Sequence, residues 1–220
     1  LSESYVAPEL EENNAVAAEF PVLKQPAERT SFDAKFVSPS KAKVAKQQYT
    51  VEQYATFAER VSANAADGRD NTVGDFIHHV MCLWNGDKGI IETLAKSYGV
   101  RVDVNAVATS ISNIWKWMEK NYGKATQVDR ELPFSFVNES GQLVTGEIDL
   151  VYHTEKGDVL VDYKTYQGSP AHLTDENSDF FAGKYCGQLS LYEEALKRKE
   201  SVICDRLICY LSLGIIIRMD

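Results

Sequence analysis

None of the four cysteines, Cys82, Cys186, Cys204 and Cys209, belongs to a C-x-x-C pair. That spacing argues against zinc and iron–sulfur frameworks, and the density is too low for a disulfide-stapled secreted domain. Buried free thiols are the expectation. No apolar run reaches membrane-spanning length, and the opening LSESYVAPEL lacks the basic start and apolar stretch of a leader. A cytoplasmic protein with no membrane contact is expected. No initiator Met opens the chain, so a piece of a longer polypeptide is expected, and a processed terminus would look the same. Positive charge is short as well: 23 Lys and Arg against 32 Asp and Glu give a net charge of -9. That disfavours a protein that coats nucleic acid along a basic face, although local patches and bound ions set the field at a site. One stretch, KFVSPSKAKVAKQQ at 35–48, holds four lysines and no acid. It reads equally as a phosphate-facing stripe or a solvated loop. No internal repeat or low-complexity tract stands out.

What is present suits one sizeable domain: 220 residues, 44% apolar. Residues 1–48, rich in Glu, Ala, Pro, Ser and Lys without a sustained period, read as a linker or irregular arm. The domain proper is expected over 49–220. From Thr50, a capping-box spacing to Gln53 and the recurrence of Val51, Tyr54, Ala58 and Val61 predict a helix that stops at ADG (66–68). A second helix is expected from about 71, with Val73, Ile77, Val80 and Trp84 on one face, then helices near 89–98 and 103–121. The period then changes to two. RELPFSFV (130–137), GQLVTGEIDLVYH and DVLVDYKTY read as strands joined by NESG and TEKG turns. A loop over 168–179, a helix over about 180–199 and two closing strands complete the order. The pattern predicts an α+β (mixed α/β) core, a central mixed sheet flanked by helices, with an N-terminal helical region.

The hairpin TGEIDLVYHTEKGDVLVDYKTY carries the chemistry. Asp162 and Lys164 lie two apart and share a strand face. If TEKG is a four-residue loop, His153 pairs with Asp158, and Asp149 falls opposite Asp162. Opposed like charges destabilise a sheet unless a cation sits between them. Hard carboxylate oxygens suit Mg²⁺ or Mn²⁺. Lys164 could then hold a water or a phosphate oxygen beside the metal. The plainer alternative is a solvent-facing hairpin whose charges have no role, although Asp and Lys are poor strand formers. By alternation Glu147 shares the face of Asp149, and Glu131 is a further acid nearby; either could reach the metal or its surroundings. Helical geometry alone does not choose between His78 and His79. His153, His172 and the acidic run TDENSD read as surface.

GEIDLV and VLVDYKT together resemble the RecB/AddA-type branch of the PD-(D/E)XK nuclease superfamily, as found at the C-terminus of UvrD-like helicase-nucleases. GDFIHHV, RELPFSF and YCGQLSLYEEAL are similar to three further motifs of that branch, in the same order, so the resemblance spans about 38–213. It implies a restriction-endonuclease-like fold and metal-dependent DNA cleavage. His78, the residue selected by counting from Gly74, would ligate the metal with Asp149, Asp162 and the Tyr163 backbone carbonyl. Asp149, Asp162 and Lys164 would be the catalytic residues, with Lys164 orienting or activating the water. Gln188, Tyr192 and Tyr185 would line the site and position the DNA strand. The resemblance further implies DNA ends, single-stranded or duplex, as substrate, a helicase motor in the same polypeptide and a partner subunit. Some relatives carry an iron–sulfur cluster on a tight cysteine trio; the wide spacing of Cys186, Cys204 and Cys209 predicts none here. The rival expectations are a catalytically silent DNA-channel or scaffold module and a stand-alone nuclease of a phage or mobile element.

Overall fold

The structure is a computed structural model and describes residues 35–42, 51–56, 60–66 and 68–219. The strands are β1 (Phe36–Val37), β2 (Val51–Thr56), β3 (Ala63–Ala65), β4 (Val100–Val102), β5 (Gln127–Val137), β6 (Leu143–Thr154), β7 (Gly157–Lys164), β8 (Ile203–Tyr210) and β9 (Ile215–Met219). The helices are α1 (Asp70–Leu83), α2 (Lys88–Tyr98), α3 (Val104–Tyr122), α4 (Ala171–Thr174) and α5 (Cys186–Lys197). Among the described residues, seven strands form one mixed sheet in the order β1-β6-β7-β8-β9-β2, with β5 also paired to β6. β7 and β8 run parallel, as a crossover through α5 requires.

Two apolar layers sandwich the sheet. On one face Phe76, Ile77 and Val80 of α1 and Ile111, Ile114 and Met118 of α3 pack against Leu150, Tyr152, Val161 and Tyr163. On the other, Leu189, Tyr192 and Leu196 of α5 pack against Ile148, Leu160, Ile208 and Ile217. The central strands read as continuous apolar runs because both faces are covered. Asp87 and Asp103 cap α2 and α3 by accepting from backbone N–H groups of the first turn.

The helix expected from Thr50 is not formed. Residues 51–56 are a strand at the sheet edge, antiparallel to β9 with Val51 opposite Met219, and 63–65 pair with β4. The open hydrogen-bonding edge of β9 takes this segment, so tertiary pairing overrides a helical period only four residues deep. Among the described residues the α-helical region therefore begins at α1. The expected loop over 168–179 contains the single turn α4. Within the arm, Phe36 and Val37 pair parallel with β6, and a 3₁₀ turn follows at Pro39–Lys41. Two glycines make the seat for that turn. A Cβ on Gly146 would lie 2.9 Å from Pro39, and one on Gly187 would lie 2.4 Å from the Ala42 carbonyl oxygen. The compact unit accordingly runs from Ala34 to Asp220. Of the lysine stretch, Lys35 and Lys41 fall among the described residues; Lys43 and Lys46 lie outside them.

Cys82 is half-buried, Cys186 and Cys209 are buried, and all four thiols are free. Cys204 departs from the expected burial: it is exposed at the start of β8, its Sγ 3.0 Å from the Lys156 carbonyl oxygen. His153 is likewise not a free surface group but is held between Asp129 and Asp158.

Candidate active site

The site grows out of a local break in the sheet. The β6–β7 ladder runs from Thr154↔Gly157 through His153↔Asp158 to Leu150↔Val161 and stops there. The turn holds two residues rather than four, and it leaves the expected register intact. One step further, where Asp149 should face Asp162, the strands part. The Tyr163 N–H, deprived of a strand carbonyl, donates instead to Asp149 Oδ2 at 2.6 Å. β7 stays paired with β8 as far as Lys164↔Tyr210, while β6 continues along β5.

The parting coincides with a change of phase. Even-numbered residues of β6 face α5 up to Ile148 and face α1 and α3 from Leu150 on. In β5, Val128 and Leu132 likewise belong to opposite layers. Between them Glu131 adopts φ 48°, a left-handed conformation that non-glycine residues seldom take. Arg130↔Leu150 and Leu132↔Ile148 flank the irregularity, so Glu131 stands across from Asp149 at the kink.

The kink divides the expected pair of carboxylates. Asp149, 7% exposed, turns toward α1, where its Oδ1 lies 3.6 Å from His78 Nδ1. Glu131 Oε1 lies 3.7 Å from the same nitrogen. One ligand atom from each of His78, Glu131 and Asp149 falls within 4.8 Å of the others. Asp162, fully buried, turns toward α5: Gln188 Nε2 donates to its Oδ1 at 2.8 Å, and the Lys164 ammonium pairs with its Oδ2. Lys164 lies over the Tyr185 ring, 4.5 Å from its centroid.

Electrostatics bind the two halves. Burial, then the charge of Asp162, raises the Asp149 carboxyl to about 7, against the pull of His78, the Tyr163 N–H and Lys164. Burial pulls His78 down, but the Glu131 and Asp149 carboxylates outweigh it and leave the imidazole above its ordinary value. Lys164 behaves similarly: burial lowers it, while the charge and hydrogen bond of Asp162 more than compensate, so the amine remains an ammonium.

The other sequence candidates fall as follows. Tyr163 buries its ring in the α1–α3 layer, edge-on to His78 with centroids 6.0 Å apart. Gln188 and Tyr192 are buried, and Gln188 also donates to the Tyr192 hydroxyl. Gln188 thereby fixes the Asp162 carboxylate, and the Tyr192 hydroxyl lies behind it. Tyr185 is half-buried beneath Lys164. Glu147 is exposed and outside the trio, but lines a cavity of about 600 Å³ with His78, Glu131, Asp70, Asp75 and Thr165. His79 reaches the same cavity while stacking on Tyr98. Glu131 is the residue that alternation undervalued. The signal was present: counting back from the NESG turn, with Val137 opposite Leu143, brings Glu131 to Asp149.

The donor set fits a hard divalent cation: one imidazole nitrogen, two carboxylates, and a third carboxylate whose charge raises Asp149. Octahedral ligands at about 2.1 Å sit roughly 3 Å apart. The 3.6 and 3.7 Å separations therefore need only a small closing movement of the His78, Asp149 and Glu131 side chains.

The family model of the PD-(D/E)XK nuclease superfamily matches residues 54–206. The chain belongs to that superfamily. It is a nuclease domain with the mixed sheet and flanking helices of that fold, and its resemblance to RecB/AddA-type members stands. An ATP-dependent helicase/nuclease subunit from Anoxybacillus flavithermus (strain DSM 21510 / WK1) is 29% identical over 185 residues, covering 82% of this chain and 13% of that protein. The protein of the same name from Geobacillus thermodenitrificans (strain NG80-2) is 37% identical over 89 residues, covering 34% of this chain and 7% of that protein. The chain thus spans a small fraction of the length of the relatives it matches. Among the described residues, no helix is long and apolar enough to cross a membrane.

Proposed function

We propose that this chain hydrolyses DNA phosphodiesters as a Mg²⁺- or Mn²⁺-dependent exonuclease, the nuclease domain of a cytoplasmic helicase-nuclease that processes DNA ends in recombination and repair. A helicase motor in the same polypeptide and a partner subunit belong to this reading. The observation that carries it is the gathering of His78, Glu131 and Asp149 beside the Asp162–Lys164 pair, at the point where β6 and β7 part.

His78, Glu131 and Asp149 would hold the ion from the α1 side, with Asp162 and the Tyr163 carbonyl completing the set from β7. A bound divalent ion supplies Lewis acidity to the phosphate and lowers the pKa of coordinated water. The remaining work falls to the chain itself. Lys164, paired with Asp162, orients the water and adds positive charge where the pentacoordinate transition state gathers negative charge. Asp162 fixes the ammonium, and Gln188 fixes Asp162. Tyr185 gives the lysine a ring to lie on, which restricts its swing.

The test is cleavage of linear single-stranded, linear duplex and circular DNA in Mg²⁺, Mn²⁺ or EDTA, wild type beside Lys164→Ala. Metal-dependent loss of linear DNA that vanishes in the variant is the expected result. Cleavage of circles would replace the exonuclease assignment with an endonuclease. Absence of cleavage by folded wild type in every metal would leave a DNA-binding scaffold.

A further inference from the structure

The loop leaving β7 carries an aromatic cluster that the hydrolytic machinery does not use. The Tyr166 and Phe180 rings stack with centroids 4.3 Å apart and 25° between planes. His172 lies nearly parallel to Phe180, 18° off at 6.3 Å, and its Nδ1 meets the Tyr166 hydroxyl at 2.6 Å. Phe180 is nevertheless 49% exposed. Stacked rings open to water offer a ready π face.

The cluster is built rather than adventitious. The Gln167 side chain exchanges two hydrogen bonds with the Ala63 backbone, at 3.0 and 2.8 Å. Arg60 donates to the carbonyls of Gln167 and Gly168. Gly168 leaves room for the Tyr166 ring, since a Cβ there would fall 2.0 Å from the phenol oxygen. The loop is thus pinned immediately after Tyr166.

Its position is next to the chemistry. Tyr166 follows Lys164 by two residues, so their Cα atoms are within about 7 Å. Tyr210 stands opposite Lys164 in the parallel ladder, and Tyr166 and Tyr185 pack against the same apolar layer as Tyr210 and Tyr192.

The rim decides which part of a substrate the cluster suits. Asp175 and Glu176 are exposed in the same loop, while Asp179 is paired with Lys184 at 3.5 Å. Asp175 and Glu176 repel phosphates, so the rings suit the uncharged face of a base. In a duplex those faces are covered by neighbouring pairs. An unpaired strand presents them, and stacking on aromatic side chains is how such strands are held without sequence preference. We propose that Tyr166, His172 and Phe180 form a stacking shelf for an unpaired nucleobase beside the scissile phosphodiester. The proposal deepens the nuclease reading and rests on it.

The experiment uses short single-stranded oligonucleotides carrying one abasic residue or one 2-aminopurine, moved position by position. They are presented to wild type, Phe180→Ala and Gly168→Ala, with folding checked by thermal melts. In wild type, one position near the cleaved bond should lose about 5- to 100-fold in kcat/KM when the base is removed, mainly through KM. Phe180→Ala should show a loss of that size on the intact strand and no further loss on the abasic one. Gly168→Ala, which displaces the Tyr166 ring without removing it, should fall between. 2-Aminopurine at the same position should be quenched by wild type and not by Phe180→Ala. Cleavage without any base-dependent position, or a wild-type KM in Phe180→Ala, overturns the shelf and leaves the nuclease standing. Quenching without cleavage supports the shelf and sinks the hydrolytic reading. Neither quenching nor cleavage overturns both.

Discussion

His153 and His78 each stand between two carboxylates, one near the turn of the β6–β7 hairpin and the other where its strands part. Around His153 both ring nitrogens are used: Nδ1 is 2.7 Å from Asp158 and Nε2 is 3.0 Å from Asp129. Asp129 is further bonded by Gln127, which with His153 holds its carboxyl below the usual range. Around His78 one nitrogen faces both acids at 3.6 and 3.7 Å, beyond hydrogen-bonding distance, with Asp162 adding a third negative charge. The same residue types thus make a satisfied clamp in one place and an excess of unneutralised acid in the other. Residue identity does not separate a structural cluster from a candidate metal site; the number of partners per donor atom does.

Breaking the open cluster's machinery should have the largest effect. Lys164→Ala removes the cation beside the proposed scissile phosphate and should lower kcat by about 10²- to 10³-fold, as loss of one transition-state stabilising donor does. Steady-state cleavage of a linear oligonucleotide in Mg²⁺ measures it. Asp162→Asn should approach the same loss, since it releases the ammonium.

The open cluster should also be the molecule's pH-sensitive region when metal is absent. Asp149 is raised from an unfolded value of about 3.9 to about 7. The folded state then binds the proton more tightly than the unfolded one. Its contribution to stability is full below about pH 4 and is lost as pH rises through 7, a change on the order of 2–4 kcal/mol. His78, also raised, acts in the same direction. Denaturant melts in EDTA between pH 5 and 8 should show this decline, and Asp149→Asn should flatten it. A rise in stability over that range would contradict the burial and crowding assigned to Asp149.

The closed clamp should behave oppositely. His153→Ala leaves Asp158, 8% exposed, without its partner and should cost about 1–3 kcal/mol while preserving metal binding. Urea melts combined with metal titration separate the two effects. A loss of metal binding in that variant would erase the distinction drawn between the clusters. A smaller effect is expected at the seat of the 39–42 turn. Gly187→Ala drives a methyl into the Ala42 carbonyl and should cost about 1–2 kcal/mol by displacing the turn from α5. An unchanged melt would show that the turn gives way freely.

The parts legible in the sequence are those governed by regular periods. Helices α1, α2 and α3 follow from their apolar spacing, and the His153↔Asp158 register follows from the short turn. The family resemblance, counted from Gly74, selects His78, which the fold brings to Asp149. What escaped are departures from period. A left-handed residue at 131 and a parting of strands at 149 change the phase of side chains by one step, and no alternation rule anticipates a step that occurs once. The expected face-to-face pair of Asp149 and Asp162 is therefore split between two layers, while Glu131, which the constant β5–β6 register already sets across from Asp149, joins the trio. The misread segment at 51–56 escaped for a different reason: its partner, β9, lies more than 150 residues away in sequence.

The most direct test of the site is a thermal melt at pH 8 with Mg²⁺, Mn²⁺ or EDTA, run on wild type, His78→Ala and His153→Ala. At a hundredfold excess over Kd, binding stabilises by about 2.7 kcal/mol, which for a domain of this size is a rise of roughly 5–10 °C in Tm. Wild type and His153→Ala should both show the rise, and His78→Ala should lose it. Equal rises in all three proteins, or none in wild type, would contradict a metal centre at the parting of β6 and β7.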